Sequence, residues 1–118
     1  MEQPFHLTSE VRNAHLIIST NGYVNNVGGE AIATEFEKHF GEGVRKVIIN
    51  LAHSKVVNSI GMSFLIEIIE RLSESGGRLV FTNLDPAVDK MLTIMGLFGY
   101  AGKANTVEDA LHALSDRN

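Results

Sequence analysis

Apolar and polar residues alternate from Phe5 to Val11, and His15 to Thr20 (H-L-I-I-S-T) is richly β-branched, which predicts two strands. The short link at Arg12-Asn13-Ala14 makes their pairing antiparallel. The polar, glycine-bearing run from Thr20 to Asn26 breaks this pattern. Gly28-Gly29 then leads into a helix predicted over Glu30 to Phe40, where Ile32, Phe36 and Phe40 recur at i, i+4 and i+8. Gly41-Glu42-Gly43 ends that helix, and Val44 to Leu51 (V-R-K-V-I-I-N-L) is apolar nearly throughout its second half. Such a run fits a central strand covered on both faces.

From Val56 to Leu72 a strand-like run ends in small polar residues and a helix begins at once, with Ser59 at the junction. Met62, Leu65, Ile66, Ile69 and Leu72 fall on one helical stripe, while Glu67, Glu70, Arg71 and Glu74 collect on the opposite face. Ser75-Gly76-Gly77 closes the helix and Arg78 to Thr82 is a short apolar strand. Strand, helix, strand implies a parallel pair. Asp85 before Pro86 places a capping side chain ahead of a first-turn proline, and Val88, Met91, Leu92 and Met95 give the stripe of a third helix that Gly96 stops. After the turn-rich Leu97 to Gly102, Lys103 to Asn105 reads as a short edge strand. Thr106 with Asp109 resembles a capping box ahead of Val107, Ala110, Leu111 and Leu114. The alternation is that of an α/β sandwich with helices on a mixed sheet.

The 118 residues suit one compact domain, 1–118, with a core of its own, and no repeat, linker or charge block argues for a second. The net charge is -4 and the ten lysines and arginines are spread thinly, so no basic stripe tracks a nucleic-acid backbone. A protein partner is the better expectation. There is no cysteine, in keeping with a cytoplasmic setting, no apolar run nears the roughly 20 residues of a membrane helix, and the start M-E-Q-P-F-H-L-T-S is unlike a signal peptide.

Chemistry concentrates at Ser59. A helix N-terminus offers free N–H groups and the positive end of a dipole, so a phosphate on Ser59 would be electrostatically welcome. Taken alone, a serine before a helix is more often a plain N-cap. The histidines His6, His15, His39, His53 and His112 are scattered without ligand spacing, which reads as surface or edge residues and predicts no metal. Gly96, Gly99 and Gly102 follow a helix instead of linking a strand to one, so they are a helix stop and turns, not a nucleotide fingerprint. A serine hydrolase is disfavoured because N-S-I-G lacks the glycine that a nucleophile elbow places two residues before its serine. Met91 with Met95, and Phe98 with Tyr100, most simply fill core or rim.

The order of elements and the junction Asn58-Ser59-Ile60-Gly61 resemble the STAS domain of bacterial anti-sigma factor antagonists, in which a strand ends at a D-S-x-G type motif carrying a phosphorylated serine. Gly22-Tyr23-Val24-Asn25 stands where that family has a G-x-L-D turn, and Met95-Gly96-Leu97 resembles its helix end before the last short strand. The resemblance spans almost the whole chain. It implies a mixed sheet of four to five strands with about four helices. It also implies phosphorylation at Ser59 and a partner surface at Gly22, Tyr23, Asn25, Asn58, Ile60, Gly61 and Met62.

By the same resemblance the unphosphorylated antagonist binds an anti-sigma factor that is itself an ATP-dependent serine kinase, is released on phosphorylation, and is reset by a PP2C-type phosphatase. ATP and magnesium then belong to the partner and the chain needs no cofactor. Asn58 and Asn25 stand where the family has aspartates, which lowers like-charge repulsion with a phosphate and removes groups a kinase could read. The rival expectations are a phosphorylation-independent STAS scaffold or transporter-associated subunit, and less strongly the hydrolase. Pairing of two copies is left open by the apolar pattern.

Overall fold

The structure, a computed structural model, describes residues 4–115; Met1 to Gln3, the first residues of the stretch read as unlike a signal peptide, lie outside them. In chain order the elements are β1 (His6–Arg12), β2 (His15–Asn21), α1 (Asn26–Phe40), β3 (Lys46–His53), α2 (Ser59–Glu74), β4 (Arg78–Thr82), α3 (Pro86–Ile94), β5 (Gly102–Ala104) and α4 (Val107–Ser115). A single 3-10 turn, Leu97–Gly99, joins α3 to β5. The strands form one sheet in the order β1-β2-β3-β4-β5. β1 is antiparallel to β2, and the other neighbours run parallel. The mixed five-stranded sheet with four helices fits the mixed sheet of four to five strands with about four helices expected from the resemblance.

Asn13 and Ala14 both adopt left-handed backbone (φ 54° and 68°), the geometry of a two-residue hairpin turn whose twist suits antiparallel strands. Val47, Ile49 and Leu51 of β3 then face α1 and α2 with Leu16, Ile18, Ile32, Phe36, Leu65 and Phe81 in the larger core. Ile48 points the other way and joins Ile17 and Val80 beneath Ala110 and Leu114 of α4. The unbroken apolar run of β3 therefore reflects burial on both faces. Among the described residues, no helix is long and apolar enough to cross a membrane.

The structure corrects the sequence reading at three places. Helix α1 begins at Asn26, not Glu30, so Gly28 and Gly29 lie inside it. They are needed there because a Cβ on Gly28 would sit 2.7 Å from the Tyr23 carbonyl, and one on Gly29 would sit 2.5 Å from the Phe64 ring. His15 is buried instead of lying at the surface, and its Nδ1 is 3.2 Å from the Arg12 carbonyl in the hairpin. Met91 and Met95, taken as part of the α3 stripe, are 38% and 52% exposed, because Val88, Leu92 and Leu97 supply the core contacts of that corner.

Candidate functional site

The parallel strands β2 and β3 end on the same side of the sheet, and the loops that leave them are zipped together. The Gly22 amide donates to the His53 carbonyl (3.0 Å), the Val24 amide to the Val56 carbonyl (3.0 Å) and the Asn58 amide to the Val24 carbonyl (3.1 Å). Below this zipper the Thr20 and Ser54 hydroxyls, both buried, meet at 2.6 Å. Val24 and Val57 turn into the core, while their neighbours Tyr23 and Val56 stay exposed. Alternation within an extended segment produces this outcome directly.

Each loop then delivers an asparagine cap. Asn25 is extended and its Oδ1 accepts from the Val27 and Gly28 amides at 3.0 and 3.1 Å. Asn58 is likewise extended; its Oδ1 accepts from the Gly61 amide at 2.8 Å and its carbonyl accepts from the Met62 amide at 2.8 Å. Asparagine satisfies the orphan amides of a helix start without adding charge. The plain N-cap reading of Ser59 is thereby corrected: the cap is Asn58, and Ser59 is the first residue of α2. Ser59 is exposed, and its hydroxyl has no hydrogen-bond partner among the described residues.

Gly61 fixes how closely this start can approach the other. A Cβ there would lie 2.1 Å from the Val24 carbonyl oxygen. The bare Gly61 Cα is also 3.2 Å from where a Gly29 Cβ would be, so the two helices begin nearly in backbone contact. No charged residue occurs from Gly22 to Gly29 or from Asn58 to Ile66, and neither first turn carries an acid. Two positive dipole ends therefore sit side by side, with no carboxylate of their own first turns to neutralise them.

Of the residues singled out by sequence, Ser59, Ile60 and Tyr23 are exposed at this end, with Ile60 at 53% and Tyr23 at 39%. Gly22, Asn25 and Asn58 build the loops and caps that carry them. Gly61 and Met62 are buried, and the Met62 side chain lies in the core, so neither offers side-chain surface to a partner. Two residues not singled out complete the rim: Val27, 61% exposed, in the first turn of α1, and Val56, 53% exposed, beside the zipper. Their signal was an apolar residue adjacent to a core valine or a helix cap. Among the described residues, no group of histidine, aspartate and glutamate could hold a metal.

The sequence model of the STAS domain family matches residues 6–110. BtrV of Bordetella bronchiseptica (strain ATCC BAA-588 / NCTC 13252 / RB50), whose name describes it as a candidate anti-sigma factor antagonist, is 27% identical over 107 residues, covering 91% of this chain and 92% of that protein. The crystal structure of an anti-sigma factor antagonist from Mycobacterium paratuberculosis superimposes with a TM-score of 0.85 at 20% identity, covering 98% of this chain and 100% of its own. The anti-sigma factor antagonist SpoIIAA in its unphosphorylated form superimposes at 0.79 and 22% identity, covering 98% and 99%. The Bacillus SpoIIAA structure in the phosphorylated form gives 0.73, covering 94% and 99%. With its matched span reaching from β1 into α4, the chain belongs to the STAS domain family.

Proposed function

We propose that this chain is an anti-sigma factor antagonist, a single STAS domain that works in the cytoplasm as one arm of a partner switch. It binds a kinase-type anti-sigma factor while Ser59 is unmodified, leaves it on phosphorylation, and is restored by a PP2C-type phosphatase. The observation that carries the reading is the state of Ser59: an exposed hydroxyl at the first position of α2 with no hydrogen-bond partner among the described residues, on the same two zipped loops and helix starts that expose Tyr23, Val27, Val56 and Ile60. A free hydroxyl can enter a kinase active site without dismantling a helix cap, because Asn58 holds the cap. The kinship with BtrV supports the same reading.

The switch then acts through binding and not through the fold. A phosphoserine carries roughly -1.5 to -2 charge at neutral pH, and the uncharged first turn of α2 accommodates it. A partner seated on Tyr23, Val27, Val56 and Ile60 would have to bury that dianion. Without cations to meet it the cost is several kcal/mol, which lowers affinity by orders of magnitude.

The test begins by incubating the full chain with a kinase-type anti-sigma factor from its own organism, ATP and magnesium, and locating phosphate by mass spectrometry. Phosphate on Ser59 and at least a hundredfold weaker binding of the modified chain are expected. Equal binding of the phosphorylated and unmodified chains would refute the switch. Tight binding with no modification of Ser59 would leave the chain a phosphorylation-independent scaffold.

A further inference from the structure

A second surface lies toward the other end of α2. Between the C-terminal half of that helix and the corner made by α3 and the 3-10 turn runs an open groove of about 550 Å³. Ile69 and Leu97 form its buried floor, with Ile66 half-buried beside them. Its far wall is Met95 and Tyr100, 52% and 77% exposed, and Ile94 nearby on α3 is 73% exposed. Scattered exposed apolar residues are ordinary, but here they wall a groove whose floor is also apolar. The charged residues of the lining are Glu70 and Glu74, one helical turn apart on the near rim. Neither takes part in an ion pair among the described residues, whereas Arg71, between them in sequence, is held by Glu37 at 2.6 Å.

We propose that this groove docks a basic amphipathic helix of a protein partner, independently of Ser59. Apolar side chains of the incoming helix would enter over Ile69 and Leu97, while lysines or arginines along one flank meet Glu70 and Glu74. From Ile66 to Glu74 the wall is on the order of 12 Å long at 1.5 Å per residue, enough for about two turns of a partner helix. The unbranched side chain of Met95 allows the far wall to adapt to its occupant. A second copy of this chain fits less well, because in a two-fold pairing the groove's own lining offers no lysine or arginine to meet Glu70 and Glu74. An anionic membrane surface would repel the same carboxylates. The groove is separated from Ser59 by roughly half the length of α2, beyond about one Debye length at physiological salt, so charge on Ser59 is screened from it.

Fluorescence anisotropy tests this with the full chain and a labelled peptide of about 14 residues, with leucine at i, i+3, i+4 and i+7 and lysine on the flanking positions. A matched peptide carries glutamate for each lysine. The lysine peptide is expected to bind saturably and the glutamate peptide not to bind. Glu70→Lys with Glu74→Lys should weaken the lysine peptide by about tenfold or more and admit the glutamate peptide. Ser59→Asp should change neither result. Both reversed positions are exposed helix surface, and a circular dichroism melt checks that the variant folds. No binding of the lysine peptide, equal binding of both peptides, or loss on Ser59→Asp but not on charge reversal would each overturn the proposal. So would a dimer in sedimentation that Tyr100→Asp dissolves, which would give the groove to a second copy, or retention of the chain on phosphatidylserine vesicles through Tyr100.

Discussion

Helices α1 and α2 start side by side from asparagine caps, yet only α2 places a hydroxyl at its first position. In α1 the cap takes two amides and the next residue is Asn26. In α2 the cap side chain takes one amide and the next residue is Ser59, whose hydroxyl has no partner among the described residues. The chemistry therefore comes from dividing two tasks between neighbours. Asn58 caps the start of the helix, which under the proposed function leaves Ser59 for modification. A serine that did both would lose its cap bond on phosphorylation.

The comparison is broken most severely at the glycines. Gly61→Ala pushes a methyl to 2.1 Å from a backbone carbonyl that the zipper holds in place, and should destabilise by about 3 kcal/mol. Gly29→Ala meets the half-buried Phe64 ring, a side chain that can rotate away, and gains helix propensity in compensation, so about 1 kcal/mol is expected. Urea unfolding of the two variants measures the difference. Equal losses would mean that both contacts relax alike and that Gly61 is not the tighter constraint.

The caps come next. Asn25→Ala strands two amides and should cost about 1–2 kcal/mol, against about 0.5–1 kcal/mol for Asn58→Ala, which strands one. Serine at position 58 should restore most of the second loss, since its hydroxyl caps nearly as well. A larger loss for Asn58→Ala than for Asn25→Ala in the same unfolding assay would invert the ranking drawn from the amides.

α1 differs from α2 again at a distance from the site, through its tie to β1. Ser9 donates a hydrogen bond to the Glu35 carboxylate, which His39 also approaches at 3.1 Å. The Ser9 hydrogen bond lowers the Glu35 pKa, partial burial opposes it, and His39 adds a smaller lowering. A depressed carboxylate stabilises the fold above its unfolded pKa, and that contribution is lost as pH falls through the folded value. Ser9→Ala should therefore cost about 1 kcal/mol at neutral pH, and the gap from the parent should close in acid, below the ordinary glutamate range. A gap that does not change with pH would assign the loss to packing.

Much of this architecture was legible because its signals are local. The unbroken apolar run of β3 gave a strand buried on both faces, and Asp85-Pro86 marked the start of α3, where the Asp85 side chain does accept from the Ala87 amide. The start of α1 was not legible, because Gly28-Gly29 looks like a breaker until the neighbouring helix that demands close approach is in view. Asn58 and Ser59 are both good caps, and only the backbone decides which of two adjacent residues stands outside the first turn. Periodicity placed Met62 correctly on the core stripe, but the motif drew it into the partner surface. Val27 and Val56 were missed for the converse reason: an apolar residue in a sequence carries no mark of exposure.

The smallest effect bears most directly on the difference between the two helix starts. Ser59→Ala removes a hydroxyl that bonds to no other described residue, so stability should change by less than about 0.5 kcal/mol while phosphorylation is abolished. Ser59→Asp sets one negative charge at a first turn that has no acid, and should stabilise by about 0.3–1 kcal/mol at low salt. The gain should shrink as salt screens the dipole, which separates it from any change in packing. Asn26→Asp puts the same charge at the same position of α1 and should give a similar gain. If both substitutions stabilise equally, the two helix starts are electrically alike and differ only in which residue the first position holds. A loss of stability in Ser59→Asp would instead mean that the end of α2 repels charge, and a phosphate there would disturb the fold itself.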